Sequence, residues 1–404
     1  MKKLNLFSLL FASSILLHAQ DSTKFIPGKP WLNIWAMANV DVIHDLNQMD
    51  PKWIGGFRPS RIPISPSDPG WGSSHNTYFS LRQSTFKFEG VLPTHHRWGP
   101  MRLRFEFDLF GMGVNAGETT FRLRLVYGDW GPFRIGKDWS TFIDLSAFPN
   151  NFEWWGPSGM ALLPSIMFRY TYQLDPGSKV ELALEMPGSE VDAGYIRQVD
   201  PQLLNIQAKE MIPDLIGRYS LEGDWGHVRA AGMVRMLSYD VISILNRQTD
   251  TRHRFGWAVN LTSNLNILNK KGVFNLQTVF GHGYAGYNND GGVEITPDAN
   301  LQATVPFQYG FVAFYNHYFG DHLSASLGWS ETHQHNTPGQ LDDAFSHSQY
   351  SVAQVIYHVF RSDIFQLGLN YQYGRKFVKD GSHAYDQRIM FTARFQINHV
   401  KKEP

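Results

Sequence analysis

The sequence predicts an all-β fold, a transmembrane antiparallel β-barrel of about sixteen strands with one loop folded into the pore. Two patterns lead to this prediction: apolar and polar side chains alternate in runs of about ten residues, and short turns alternate with long connections. The 404 residues are rich in aromatic side chains and Gly and contain no Cys, which fits an exported protein without disulfides. Lys and Arg number 36, as do Asp and Glu, so no basic tail for nucleic acid is expected.

The chain begins with the pattern of a secretory signal peptide. Lys2 and Lys3 precede a largely apolar run from Leu4 to Leu17. The run is too short and too close to the terminus for a stable membrane helix, although a membrane anchor is the alternative. We therefore predict a signal peptide at 1–20 and an outer-membrane β-barrel at 21–404.

The clearest predicted strand is Met101–Leu109, where apolar and charged residues alternate without a break. Its apolar face would contact lipid and its charged face would contact water in the pore, because successive side chains of a strand point to opposite sides. The first strand is predicted near Trp31–Val42 and the last near Tyr385–His399. The same alternation recurs at Phe121–Tyr127, Ile166–Tyr172 and Val180–Met186.

The connections between the predicted strands fall into two classes, as in outer-membrane barrels. With both chain termini at the short-turn, periplasmic end, the long loops would face outward from the cell. Short turns are predicted at Gly128–Pro132, Asp175–Ser178, Gly223–Gly226, Asn269–Gly272, Phe319–Asp321 and Arg361–Asp363. Long loops are predicted at His44–Phe79, Ser140–Pro164, Pro187–Ile212, Ser238–Arg252 and Tyr287–Thr304.

A soluble, secreted β-sandwich is the alternative fold, since any half-buried sheet alternates apolar and polar positions. The long alternating runs along the whole chain favour the barrel, because no helical pattern is available to cover their apolar faces. Tyr and Trp near predicted strand ends, such as Trp130, Tyr172 and Trp225, also resemble an interfacial aromatic girdle.

The polar faces are predicted to line the pore, and they are mainly basic. A wall of guanidinium groups favours anions, because these groups stay ionised and present paired donors to carboxylate or phosphate. About half of these Arg side chains are expected to pair with acids and stiffen the wall, with Arg102, Arg104, Arg122 and Arg124 the strongest candidates for an unpaired ladder. The predicted inward Arg residues are Arg102, Arg104, Arg122, Arg124, Arg134, Arg169, Arg218, Arg229, Arg235, Arg388 and Arg394. The predicted inward acids are Glu106, Asp108, Glu181, Glu185 and Glu222.

The predicted loop Ser140–Pro164 is too apolar to extend into water, since it contains residues such as Phe142, Phe148 and Phe152. Folding into the barrel mouth would bury these side chains and constrict the pore. Asp144 and Glu153 would then face the Arg wall and produce a field across the constriction. The alternative is that the loop packs over a neighbouring subunit.

The stretch from Arg122 to Thr171 resembles the DcaP-like outer-membrane porins. The resemblance implies a sixteen-stranded trimeric porin with a loop folded into the pore, which takes up small organic anions such as dicarboxylates. The motifs that carry it are Arg122–Gly128, Gly136–Phe142, Phe148-Pro149, Trp155–Gly159 and Phe168–Thr171. The residues to which it extends most directly are Arg122, Arg124, Asp138, Ser140 and Arg169.

Two features depart from this family. Some members carry a periplasmic coiled coil before the barrel, whereas Asp21–Pro30 contains no heptads, so a trimer would depend on barrel packing. The chain also ends Lys401-Lys402-Glu403-Pro404, where a barrel commonly closes on a terminal aromatic residue.

The expected function is passive diffusion of small, preferentially anionic solutes through the outer membrane of a Gram-negative bacterium. Selection would depend on Arg102, Arg104, Arg122, Arg124 and Arg169 on the wall, with Asp144 and Glu153 opposite. The expected partners are outer-membrane lipid, the solutes and further copies of the chain in a homotrimer, without cofactor, metal or nucleic acid.

An enzyme is not expected, although several His residues suggest the idea. His333 and His335 could bind a metal, but no third ligand is fixed nearby in the sequence. The remaining alternative function is that of a plugged outer-membrane barrel with a surface-binding or enzymatic role.

Overall fold

The computed structural model describes residues 30–153, 155–188, 190–195, 204–243, 247–300 and 302–400, and these form sixteen antiparallel strands, two of them interrupted. The predicted signal peptide at 1–20 lies outside the described residues. Within them, no helix is long and apolar enough to cross a membrane. The strands are β1 (Trp31–Asp45), β2 (Asn76–Ser80 and Thr85–Leu92), β3 (Met101–Phe110), β4 (Thr119–Trp130), β5 (Phe133–Trp139), β6 (Pro164–Asp175), β7 (Ser178–Glu185), β8 (Leu204–Lys209 and Asp214–Gly223), β9 (Gly226–Ser243), β10 (Gln248–Ile267), β11 (Gly272–His282), β12 (Phe307–Tyr318), β13 (Leu323–Gln334), β14 (Phe345–His358), β15 (Phe365–Val378) and β16 (His383–Val400). Single 3-10 turns lie at Pro51–Trp53, Pro59–Arg61, Gly113–Asn115, Leu145–Ala147, Leu268–Lys270 and Ala285–Tyr287, and a small hairpin pairs Thr296–Pro297 with Ala303–Thr304.

Each strand pairs with the next along the chain, and β1 pairs with β16, which closes the sheet into a barrel. Both segments of β2 pair with β1. The predicted fold class of a closed antiparallel barrel is therefore confirmed. The predicted first and last strands are confirmed as well, and each is longer than the alternation alone indicated.

The two faces of the wall differ as expected for a barrel whose outer surface contacts lipid. In β13, Leu327 and Trp329 are exposed on the outer face, whereas Ser326 and Ser330 are buried on the inner face. A soluble sandwich would place the apolar side chains inside and the polar ones outside. This inverted pattern is typical of a transmembrane β-barrel.

The alternation of short turns and long connections is present in the structure, with two corrections. The predicted long loop Pro187–Ile212 contains a strand at Leu204–Lys209. The predicted long loop at Ser238–Arg252 is wrong, because these residues continue β9 and β10 as a paired hairpin to Ser243 and Gln248. The first segment of β8, Leu204–Lys209, pairs with the same part of β9 and supports the extension. Cross-strand hydrogen bonds thus order a polar segment that composition alone assigns to a loop.

A β-bulge changes which residues of β4 point inward. The pairing with β3 shifts register between Glu106 and Phe107, opposite Arg124. Beyond this point Leu125 and Tyr127 are buried inside the barrel, although simple alternation from Phe121 would place them on the outer face.

Three long loops, residues 46–75, 140–163 and 283–306, pack against one another at one end of the barrel. The carboxylate of Asp290 accepts hydrogen bonds from Arg58 at 3.3 Å and from the hydroxyl of Ser158 at 3.0 Å. The backbone N–H of Leu162 donates to the C=O of Tyr287 at 2.8 Å. The apolar residues of the 140–163 loop are therefore covered by the protein's own chain.

Candidate functional site

The 140–163 loop leaves β5 and lies against side chains on the inner faces of distant strands. The N–H of Thr141 donates to Glu185 of β7 at 2.6 Å, and the C=O of Phe142 accepts from Asn260 of β10 at 2.8 Å. Further along, the N–H of Phe152 donates to Gln354 of β14 at 2.8 Å. The loop thus contacts both sides of the barrel wall.

A cavity of about 640 Å³ lies between the first part of this loop and the inner faces of β3–β9, and we call it the basic cavity. Its lining reaches the short turn between β4 and β5, which places it toward the short-turn end of the barrel. The basic side chains in its lining are Arg102, Arg134, Arg169, Lys179, Arg218 and Arg229, and the acidic ones are Asp129, Asp138, Glu181 and Glu222.

Three of the Arg residues predicted to form an unpaired ladder are paired in the structure. Glu106 accepts from Arg104 at 2.9 Å and lies 3.3 Å from Arg124. Asp108 accepts from Arg122 through both oxygens, at 2.5 and 2.9 Å. The acids alternate with the Arg residues on the same inner faces of β3 and β4, so the pairs form between neighbouring positions.

Arg102, the fourth member of the predicted ladder, differs from the other three. Its side chain lines the basic cavity and forms no ion pair or hydrogen bond with the residues that the structure describes. Arg169 also lines this cavity, and it shares the carboxylate of Asp138 with Arg134, each at 2.5 Å.

Ion pairing is more extensive than the expected half. Nine of the eleven predicted inward Arg residues form ion pairs, and Arg394 instead donates to Asn39 at 2.9 Å. The nine are Arg104, Arg122, Arg124, Arg134, Arg169, Arg218, Arg229, Arg235 and Arg388.

Asp144 lies at the first bend of the 140–163 loop and fixes it to the wall. Its carboxylate pairs with Arg229 of β9 and accepts from Thr262 of β10 at 2.7 Å. His227 of β9 lies 2.7 Å from the same carboxylate. Asp144 therefore faces basic groups, but on β9 and not on the predicted wall of β3, β4 and β6.

Glu153 differs more strongly from its expected position. Its side chain is fully buried, and its carboxylate accepts from the N–H groups of Phe57, Trp155 and Gly156, at 3.2, 3.0 and 2.7 Å. It connects two loops and does not face the basic cavity. The apolar surroundings of Glu153 in the sequence gave no sign of this backbone role.

In two of the ion pairs around the basic cavity, the acid is much less exposed than the cation. The side chain of Asp138 is 4% exposed, compared with 27% for its partner Arg134. The side chain of Glu181 is 5% exposed, compared with 30% for Lys179. At these two pairs a solute in the cavity would meet the cation first, whereas Asp129 is 25% exposed beside Arg134 and Glu222 is exposed.

Several charged residues near the cavity were not predicted. Lys87 of β2 lies 3.7 Å from Glu106, and Lys179 of β7 lies 3.9 Å from Glu181. Asp129 pairs with Arg134 at 2.5 Å. The alternation in β2 and β7 would have placed both Lys residues inside, whereas Asp129 was concealed within a predicted turn.

Comparison with solved structures shows which known fold the chain shares. The outer membrane channel DcaP of Acinetobacter baumannii matches with a TM-score of 0.71 and 16% identity, over 92% of this chain and 99% of that one. The trimer form of OmpT, an outer membrane protein of Vibrio cholerae, matches with a TM-score of 0.54 and 11% identity, over 91% and 99% of the two chains. An anion-selective porin from Comamonas acidovorans matches with a TM-score of 0.53 and 8% identity, over 91% and 100%.

No family model and no curated protein sequence matches the chain. At these identities the structural matches show the fold alone, and they confirm at that level the resemblance to DcaP-like porins. The chain has the barrel fold of outer-membrane porins.

Proposed function

We propose that the protein is a porin of the outer membrane of a Gram-negative bacterium, through which small anions such as dicarboxylates diffuse passively. The apolar outer face of the barrel fits a lipid environment, and the fold is that of known outer-membrane channels. No cofactor or chemical step is part of this proposal.

The observation that carries the anion preference is the difference in exposure between cation and acid in two ion pairs of the basic cavity. Buried carboxylates such as Asp138 and Glu181 hold the cations in place, while the more exposed Arg134 and Lys179 reach the solvent. A paired guanidinium retains donors that its acid does not use, because it carries five N–H groups. In a narrow channel with a low-dielectric wall, such donors attract and orient a carboxylate.

The 140–163 loop would set the width of the route on this side. Its residues Ser140, Ile143 and Leu145 form one wall of the basic cavity, opposite the cations of β3–β9. Asp144 contributes by holding this part of the loop against β9, and Arg102, Arg104, Arg122, Arg124 and Arg169 supply positive charge along the opposite wall.

The test is the reversal potential of the purified protein in a planar bilayer under a salt gradient. We expect an anion preference in the wild type that falls in Arg102→Glu. Arg102 lines the cavity and forms no ion pair with the residues that the structure describes, so replacing it leaves no buried partner without its cation. Arg361→Glu is the matched control, because it makes the same change in charge at an exposed turn between β14 and β15. Cation preference in the wild type would refute the proposal.

The alternative of a plugged barrel with a surface role is favoured by one observation. The loops bury large side chains such as Phe57, Phe142 and Phe152 inside the barrel, which fills part of its interior. Absence of conductance in correctly folded protein would support this alternative. We also propose a homotrimer, on the family resemblance and the trimer form of OmpT, which the mass of the detergent-solubilised protein would test.

A further inference from the structure

The interior wall of the barrel is divided into two chemically different halves. The inner faces of β3–β9 carry the Arg and Lys residues of the basic cavity. The inner faces of β11–β15 carry mainly amides and hydroxyls, and these are buried. Representative residues are Asn275, Gln277, Ser326, Ser330, Gln354 and Gln372.

The 140–163 loop covers the uncharged half. The C=O of Asn150 accepts from Ser326 of β13 and from Gln354 of β14, both at 2.8 Å. The side-chain amide of Asn151 donates to the hydroxyl of Tyr350 at 3.1 Å. Polar groups that would otherwise meet water in the pore therefore bind the loop.

The uncharged half is nevertheless suited to water. Both polar atoms of the Gln277 amide, and the amide oxygen of Gln372, are buried without a hydrogen-bond partner among the described residues. An interior built for permanent packing would pair such groups or replace them with apolar side chains. The covered wall thus has the chemistry of a pore lining.

One aromatic residue fixes the loop to this half at a point where the wall has no side chain. Phe152 is fully buried, and its ring lies over the backbone of Gly368 of β15. A Cβ at position 368 would lie 2.1 Å from the ring, so no other residue fits while Phe152 is in place. Arg394 of β16 lies over the same ring, 4.4 Å from its centroid, and donates to the C=O of Phe152 at 3.3 Å.

The position of Phe152 has a consequence for charge selection. While the loop occupies the uncharged half at the level of Phe152, the basic cavity lies against the half lined by Arg and Lys. If the loop left that half, a second route lined by amides and hydroxyls would open beside the first. Neutral solutes and cations would pass along it more freely, because its wall carries no comparable positive field.

We propose that the contact between Phe152 and Gly368 determines the charge selectivity of the channel, by holding the loop over the uncharged half of the wall. This inference rests on the proposed function for the basic half. Phe152 acts as a positioning residue, since it is buried and meets no solute.

The experiment compares conductance and reversal potential in planar bilayers for the wild type, Gly368→Val and Phe152→Ala. The first variant expels the ring from its site, and the second removes the ring without changing the barrel wall. Gly232→Val is the matched control, because a Cβ at this glycine of β9 has no atom closer than 4.0 Å. If Gly368→Val fails to assemble, Phe152→Ala supplies the same test.

We expect both variants to raise conductance and to move the reversal potential toward zero, with the control unchanged. A wild type that prefers anions, together with variants that keep its conductance or its full preference, would overturn this inference and leave the proposed function intact. A wild type without anion preference would overturn the proposed function, and this inference with it. The two failures are therefore distinguishable.

Discussion

Asp144 provides the sharpest test of how the loop is held. Its side chain is 2% exposed. Its two carboxylate oxygens contact Arg229, His227 and Thr262, and one of them also accepts a hydrogen bond from the backbone N–H of Ser146 in the same loop. In Asp144→Asn one acceptor oxygen becomes a donor and the negative charge is lost. Removing one member of a buried ion pair costs about 3–5 kcal/mol, which corresponds to a shift of about two to four orders of magnitude in the docking equilibrium of the loop.

The predicted result for Asp144→Asn has two parts. Single-channel recordings should show frequent fluctuations between conductance levels, and urea unfolding should shift to lower concentration. A double-mutant cycle with Arg229→Met isolates the interaction energy between the two residues. The double variant should lose less stability than the sum of the two single variants. A loss below about 1 kcal/mol in the free energy of unfolding of Asp144→Asn, with single-channel currents that do not fluctuate, would refute the reasoning. A loss of this size is typical of an ion pair that is exposed to solvent.

Three further predictions concern the loop, the barrel seam and one strand. Burial raises the pKa of Glu153 to about 7 from its ordinary 4.5. Between these two pH values the docked loop carries a proton on Glu153 that the undocked loop has lost, so docking weakens as the pH rises from about 4.5 to about 7. Current fluctuations should therefore increase from about pH 5 to about pH 8 in the wild type and in the control Glu118→Gln, but not in Glu153→Gln; the same increase in all three would exclude Glu153 as the titrating group. Asp45→Ala leaves the buried Arg388 without its carboxylate and should lower the free energy of unfolding in urea by about 3–5 kcal/mol. The double variant Asp45→Leu, Arg388→Met should recover most of this loss. An equal loss in the single and the double variant would contradict the prediction. Gly136→Ala places a Cβ 2.3 Å from the C=O of Val126, at a φ of 128°, and should cost about 1–3 kcal/mol; an unchanged unfolding midpoint would count against the strain.

Much of the barrel follows from alternation in the sequence. The run Met101–Leu109 places each side chain on the face where the structure has it, because lipid and water impose opposite demands on the two sides of one strand. The short turns, such as Asp175–Ser178, follow from Pro and Gly in positions that end a strand.

Other features depend on partners that are distant in sequence. The bulge opposite Glu106 turns Leu125 inward, and alternation within β4 alone gives no sign of it. The continuation of β9 to Ser243 depends on pairing with two neighbouring strands. Glu153 was predicted to face the pore as a charge, whereas its partners are N–H groups, one of them from a loop about a hundred residues earlier.

The candidate site was predicted in part. The inward positions of the Arg residues follow from alternation, but their pairing depends on acids such as Asp45 and Asp138, which had not been counted among the inward acids. The division of the wall into a charged and an uncharged half is visible in the sequence of β13, where Ser and Thr alternate with apolar residues. Its meaning required the loop contacts, since only the fold shows which half the loop covers.

The seam between β1 and β16 also bears on how the barrel assembles. Asp45 and Arg388 are directly opposite in the register that closes the sheet, and Arg388 donates to both carboxylate oxygens, at 2.5 and 3.0 Å. A slip of β16 by one residue would turn Arg388 to the outer face of the barrel and leave Asp45 without its cation. The pairing that closes the barrel therefore depends on its register, because a shift by one residue separates the two charges and leaves Asp45 buried without its partner.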